Sequence, residues 1–159
     1  MRQFTSLPSV VLALLLTASA GFPGLFPANP SPAIQLMSMT ELKAGDGGDY
    51  FVAAFINNTS INVLIDTGAS AVALSFEDAE KAGLHPSNLD YTIPVSTANG
   101  MVRAARVKLN RVEIDNVRVD DVDALVLPAG ALKGTLLGMS FLSKLSSFKS
   151  EGGVLTLKN

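Results

Sequence analysis

Asp66 stands where an acid could do chemistry, at the end of the apolar run Val63-Leu64-Ile65 and just before the small residues Thr67, Gly68, Ala69 and Ser70. Aliphatic and β-branched residues stopping in such a cluster read as a buried strand that ends in a tight turn. A carboxylate delivered to the end of a core strand is costly to leave alone in apolar surroundings, so it asks for a group that shares its charge. Composition narrows what that chemistry is. The chain has no cysteine and one histidine, His85. Thiol nucleophiles, cysteine metal sites, a histidine metal cluster and a Ser-His-Asp triad are therefore implausible, and neither a metal nor a cofactor is expected. Carboxylates remain. A net charge of -2 over 159 residues, without a basic patch, speaks against a nucleic-acid partner.

The elements that must hold Asp66 are legible on both sides of it. Tyr50 to Ile56 is rich in aromatic and β-branched residues, Asn57-Asn58-Thr59-Ser60 supplies a turn, and Ile61 to Ile65 returns as the arm carrying the acid. Asn57-Asn58-Thr59 also fits a glycosylation acceptor, but turn chemistry is the preferred reading. Ala71 to Leu74 is a short apolar strand. Ser75 and Asp78 mark a helix start, and the helix from Phe76 to Ala82 ends at Gly83. His85, next to Pro86, belongs to a surface loop.

Tyr91 to Ser96 and Met101 to Val107 flank Asn99-Gly100, a strong hairpin signal. A tip of small residues suits a flap lying over a peptide backbone. Val107-Lys108-Leu109, Val112-Glu113-Ile114 and Val117-Arg118-Val119 alternate about an Asp115-Asn116 turn, and Ala124 to Leu127 reads as a buried strand closed by Pro128. Asp115, Asp120, Asp121 and Asp123 lack the glycine and terminal glutamate of a calcium loop and read as solvated turns and faces. Leu136-Leu137-Gly138 leads into an apolar-periodic helix of about two turns, Met139 to Leu145. Phe148-Lys149 and Val154 to Leu157, around Gly152-Gly153, form a last hairpin.

Asp66-Thr67-Gly68-Ala69, the flap-type hairpin and Leu136-Leu137-Gly138 before a helix occur in the order found in a known family. From about Tyr50 to Asn159 the chain resembles the retropepsin-like (retroviral-type, clan AA) aspartic proteases, in the bacterial form with an N-terminal membrane or signal segment. The resemblance implies a mainly β, single-lobe fold, a closed β-barrel or sandwich with a flap hairpin and one or two short helices. It implies an aspartic endopeptidase with Asp66 as catalytic carboxylate and Thr67, Gly68, Ala69 and Ser70 completing the motif. Ser96, Thr97, Ala98, Asn99 and Gly100 would contact a peptide or protein substrate, and Leu136, Leu137 and Gly138 would support the site.

Two-lobed pepsins carry the acid motif twice, whereas this chain carries it once, so the second carboxylate must come from an identical subunit in a homodimer. Thr67 would then hydrogen-bond across the two-fold axis, and the apolar C-terminal strand would join the dimer interface. Ala69 stands where pepsins have a hydroxyl residue, which implies activity at milder pH. Two features depart from the family. The flap has neither the aromatic residue of pepsins nor the several glycines of viral enzymes, and Ser70 replaces an acidic residue common in the latter. The competing readings are a catalytically idle peptide-binding or dimerisation module on the same fold, and a small exported β-barrel binding a ligand or metal through its aspartates.

Arg2, the apolar run from Val10 to Leu16 and Ala18-Ser19-Ala20 read as a signal peptide or a membrane anchor over residues 1–22. Four prolines between Pro23 and Pro32 make residues 23–38 an extended linker, which leaves 39–159 as the folded domain. The expected location is outside the cytoplasm: periplasmic, either soluble or tethered to the inner membrane.

Overall fold

Alternation of apolar and polar residues along most of the chain produces strands that each bury one face, and these strands close on one another. The computed structural model describes residues 37–97 and 100–159; the expected signal or anchor segment, the linker up to residue 36, and Ala98 and Asn99 of the flap lie outside the described residues. In chain order come β1 (Met39–Lys43), β2 (Tyr50–Ile56), β3 (Thr59–Ile65), β4 (Val72–Leu74), α1 (Phe76–Lys81) and a single 3-10 turn at Pro86–Asn88. They are followed by β5 (Tyr91–Thr97), β6 (Gly100–Ile114), β7 (Val117–Val126), β8 (Thr135–Leu137), α2 (Met139–Leu142), β9 (Ser147–Glu151) and β10 (Val154–Lys158).

The strand order β2-β3-β8-β4-β7-β6 closes into a ring where β2 meets β6 again, at Phe55 opposite Glu113 and Ile56 opposite Val112. The mainly β closed barrel expected from the sequence is the fold the chain adopts. Ile61, Val63 and Ile65 of β3, Leu109, Val112 and Ile114 of β6, and Phe141 and Leu142 of α2 share one buried core. β5 pairs only with β6 and so forms the sheet's outer edge, which is where a strand can accommodate Pro94 without losing a ladder hydrogen bond. A second sheet, β1-β10-β9, is not hydrogen-bonded into the ring but packs Leu155 and Leu157 against the same core.

Asn57 and Asn58 take positive φ values of 48° and 69°, the geometry of a two-residue hairpin turn. The Asn57 side chain has a further task. Its Oδ1 accepts the Asn110 N–H at 2.9 Å, and the Asn57 backbone N–H donates to Arg111 O at 3.0 Å, fastening the turn to β6 at the point where the barrel closes. Turn chemistry therefore accounts for this asparagine.

Two expectations need correction. Ala124 to Val126 is not a separate strand but the end of β7, which runs unbroken from Val117. Val117 and Val119 are buried, then Val122, Ala124 and Val126, so the inward phase slips by one residue at Asp120-Asp121. Asp121 takes a φ of 55° at this point without a shift of register against β6, and Lys144 Nζ donates to its carbonyl at 2.7 Å. The second helix is one turn rather than two. Ser143 Oγ donates to Met139 O at 2.6 Å, competing with the backbone, after which Lys144 and Leu145 bond three residues back. Phe141, Leu142 and Leu145 are nonetheless buried as their spacing demands.

No clear sign of β1 stands in the sequence: its buried residue is the polar Thr40, whose hydroxyl donates to Asp115 at 2.5 Å, while Leu42 packs half-buried against the core. Leu155 and Leu157 of the apolar last strand are buried in the chain's own core. The remaining aspartates lie on exposed strand faces, where Asp120 pairs with Arg118 and Arg111 and Asp123 pairs with Lys108.

One buried polar cluster ties α1 to the barrel. Ser75 caps the helix by accepting the Asp78 N–H at 3.1 Å, while the Asp78 carboxylate accepts from Thr135 Oγ1 and from Lys81 Nζ, each at 2.9 Å. Burial alone would push the Asp78 carboxyl up. The hydrogen bonds from Lys81 and Thr135, with the Lys81 charge and Ser75, outweigh burial and hold it below its ordinary 3.8. A carboxyl lowered in the folded state stabilises the fold above pH 3.8, and that contribution fades as the pH falls through the lower folded value.

Lys81 is mostly exposed, so its pairing adds little. Thr135 is buried, and losing its acceptor is what costs. Asp78→Ala is expected to destabilise the domain by about 2 kcal/mol near neutral pH, with the gap narrowing in acid. Urea unfolding of parent and variant at both pH values checks this, and equal midpoints at neutral pH would contradict it.

Candidate active site

Asp66 is held by strand pairing in front of it and by a glycine behind it. β3 runs parallel to β8, with Val63 opposite Thr135 and Ile65 opposite Leu137, and the Asp66 N–H continues the ladder to Leu137 O at 3.1 Å. The turn then folds on itself. The Gly68 N–H donates to Asp66 Oδ1 at 2.8 Å and the Ala69 N–H to Asp66 O at 3.3 Å. The next stretch is clamped from α2: the Met139 N–H reaches Ala69 O at 2.8 Å, and Ser140 Oγ accepts the Val72 N–H at 2.8 Å while donating to Asp123 O at 2.6 Å.

Gly138 sits at the centre of this clamp. A Cβ there would lie 2.5 Å from Ala69 O and closer still to Ala71 O. Its φ of -95° is open to any residue, so glycine is required by close backbone approach alone.

Asp66 is half-buried, and among the described residues only the oxygen facing Gly68 is engaged. Thr67 is exposed, and among the described residues its hydroxyl makes no hydrogen bond. In front of the turn opens a cleft of about 410 Å3. It brings together Asp66, Gly68, Ala69 and Ser70 from the turn, Ser96 and Thr97 from the flap-type hairpin, and Leu136 from β8. These predicted residues therefore share one site, although the acid and Leu136 are far apart in sequence.

Other predicted residues fall elsewhere. Leu137 is fully buried, Gly138 packs behind the turn, and Gly100 pairs with Thr97 at the hairpin without lining the cleft. Sequence reasoning missed the apolar walls, Ala71, Ala73, Val95, Leu125, Leu127, Ala131 and Leu132. Leu132 carried a signal, an aliphatic residue in a loop between Gly130 and Gly134 with no strand or helix to bury it.

A strand-end acid turn, buttressed by an aliphatic-aliphatic-glycine strand inside a six-stranded ring, is a specific arrangement. Residues 52–144 match the family model described as "gag-polyprotein putative aspartyl protease". The chain belongs to the retropepsin-like aspartic protease family.

Among solved structures, the crystal structure of a retropepsin-like aspartic protease from Rickettsia conorii superposes with a TM-score of 0.69 at 34% identity, covering 77% of this chain and 91% of that one. An uncharacterized protein of Sinorhizobium sp is 41% identical over 112 residues, 70% of this chain. An uncharacterized protein of Rickettsia prowazekii (strain Madrid E) is 38% identical over 115 residues, 72% of this chain. The match spans 48% of each of these two curated relatives, so this chain corresponds to about half their length. In this retropepsin-like chain the cleft, the acid turn and the glycine clamp all fall within or beside the matched region.

Proposed function

We propose that the chain is an aspartic endopeptidase that works as a homodimer, with two Asp66 carboxylates placed about one water. The observation that carries this reading is the single acid turn: it opens on a cleft of about 410 Å3, and one carboxylate oxygen of Asp66 is unclaimed among the described residues. Two carboxylates about 3 Å apart cannot both ionise, so the pair shares a proton. The ionised Asp66 takes a proton from the water as it attacks the scissile carbonyl, and the protonated Asp66 polarises that carbonyl. The roles then exchange, and the departing amine is protonated.

Thr67, exposed beside the acid and without a hydrogen bond among the described residues, is placed to reach the partner's turn. Ser96 and Thr97 line the same cleft as Asp66 and would hold the peptide backbone.

The test is mass in solution and hydrolysis of a denatured protein, measured side by side over a dilution series. Specific activity is expected to fall as the dimer dissociates, and pepstatin-like inhibitors are expected to block it. Full specific activity in a strictly monomeric sample would overturn the homodimer mechanism.

A further inference from the structure

The Asp66 cleft does not end at its own walls. A second pocket of about 400 Å3 shares Ser70, Ala71, Val95, Ser96 and Leu125 with it, so the two form one depression running beside β5. The second pocket adds Arg106 and Asp123 to a mixed lining in which Ser70 and Ser96 stand beside the apolar Ile93 and Pro94. Their charges do not cancel. Asp123 is taken by Lys108, directly across from it on β6, at 3.1 Å. Arg106 makes no ion pair among the described residues. Two cations therefore stand against one carboxylate, and the uncompensated one projects from a β6 position whose cross-strand neighbour is the cleft residue Leu125.

A guanidinium presents a planar fork matched to a carboxylate, which it can hold through two parallel hydrogen bonds. Among the described residues Asp66 is the only charged group lining the first cleft, so the excess positive charge lies away from the reacting bond. An extended peptide advances about 3.3 Å per residue, so one seated at Asp66 and following the free edge of β5 brings a side chain into the second pocket a few residues from that bond.

We propose that this second pocket is a recognition site for an acidic side chain of the substrate, read by Arg106 at a position removed from the scissile bond. The proposal rests on the reading that extended peptides bind in the Asp66 cleft, but not on their being cleaved.

The experiment uses the full chain carrying Asp66→Asn, so that bound peptides persist. Fluorescein-labelled peptides are compared that differ only in one residue, Glu or Gln, moved one position at a time along the sequence. Glu is expected to bind about tenfold tighter than Gln at a position away from the centre. Arg106→Gln in the same background is expected to erase that ratio, and Arg106→Lys to keep part of it. Equal binding of Glu and Gln at every position, or a ratio that survives Arg106→Gln, would overturn the proposal. The same peptides given to the chain with Asp66 intact separate the two readings. A Glu preference in binding without any cleavage removes the endopeptidase and leaves the pocket, whereas cleavage with no Glu preference does the reverse.

Discussion

Replacing Asp66 by Asn is expected to lower hydrolysis of a denatured protein by about a hundredfold to ten-thousandfold while leaving the unfolding midpoint almost unchanged. The two halves of that outcome have different causes. Asparagine keeps an oxygen where Asp66 Oδ1 accepts the Gly68 N–H at 2.8 Å, so the turn retains its internal bond and loses less than about 1 kcal/mol. What disappears is the group that takes and returns the proton.

A homodimer adds a sharper expectation. When Asp66→Asn and parent protomers are mixed in equal amounts and allowed to exchange, about a quarter of the pairs keep two carboxylates. Activity per parent protomer should then fall to about half. Activity that merely tracks the amount of parent protein would mean that each chain works alone. Undiminished hydrolysis by the pure variant would remove Asp66 from the chemistry altogether.

Gly138→Ala should be the most damaging single methyl group in the molecule. The added carbon would sit 2.5 Å from Ala69 O and closer to Ala71 O, and both obstacles are backbone, which cannot swing aside as a side chain does. Relief requires moving the segment Ala69–Ala71, and that segment is bonded to Met139 on one side and to Asp66 O on the other. Overpacking of this kind costs about 3 kcal/mol, and the acid turn absorbs the displacement. Both the urea midpoint and peptide hydrolysis are expected to drop, with hydrolysis the more severely affected, because a shift of the turn misplaces Asp66 even in molecules that remain folded. A variant that unfolds with the parent and retains full hydrolysis would show that the clamp does not position the acid.

Much of this was written in local sequence. Val63-Leu64-Ile65 before Asp66 specified a strand ending in an acid, because apolar β-branched residues and a small-residue turn are local preferences. Ser75 with Asp78 specified a helix start for the same reason, and the Ser75 cap is in place. Asp121 and Ser143 show where local reading fails. Asp120 and Asp121 read as solvated turns and faces before a separate strand, yet β7 runs through them in unbroken register with β6, with Asp121 at a positive φ and its carbonyl bonded by Lys144. A serine hydroxyl cut the second helix short although the apolar spacing ran on.

The sequence by itself determined that there is an acid turn, which strands flank it, and that Leu136-Leu137-Gly138 would matter. Tertiary structure decided why. Parallel pairing of β3 with β8 sets Leu137 beside Ile65, so that Gly138 meets the backbone of the acid turn, and the β5 edge carries Ser96 and Thr97 over the same cleft with Arg106 farther along it. Periodicity reports which face of a strand is buried, a property of neighbours in sequence. Which strands lie side by side depends on the closure of the whole ring, and no local preference encodes that.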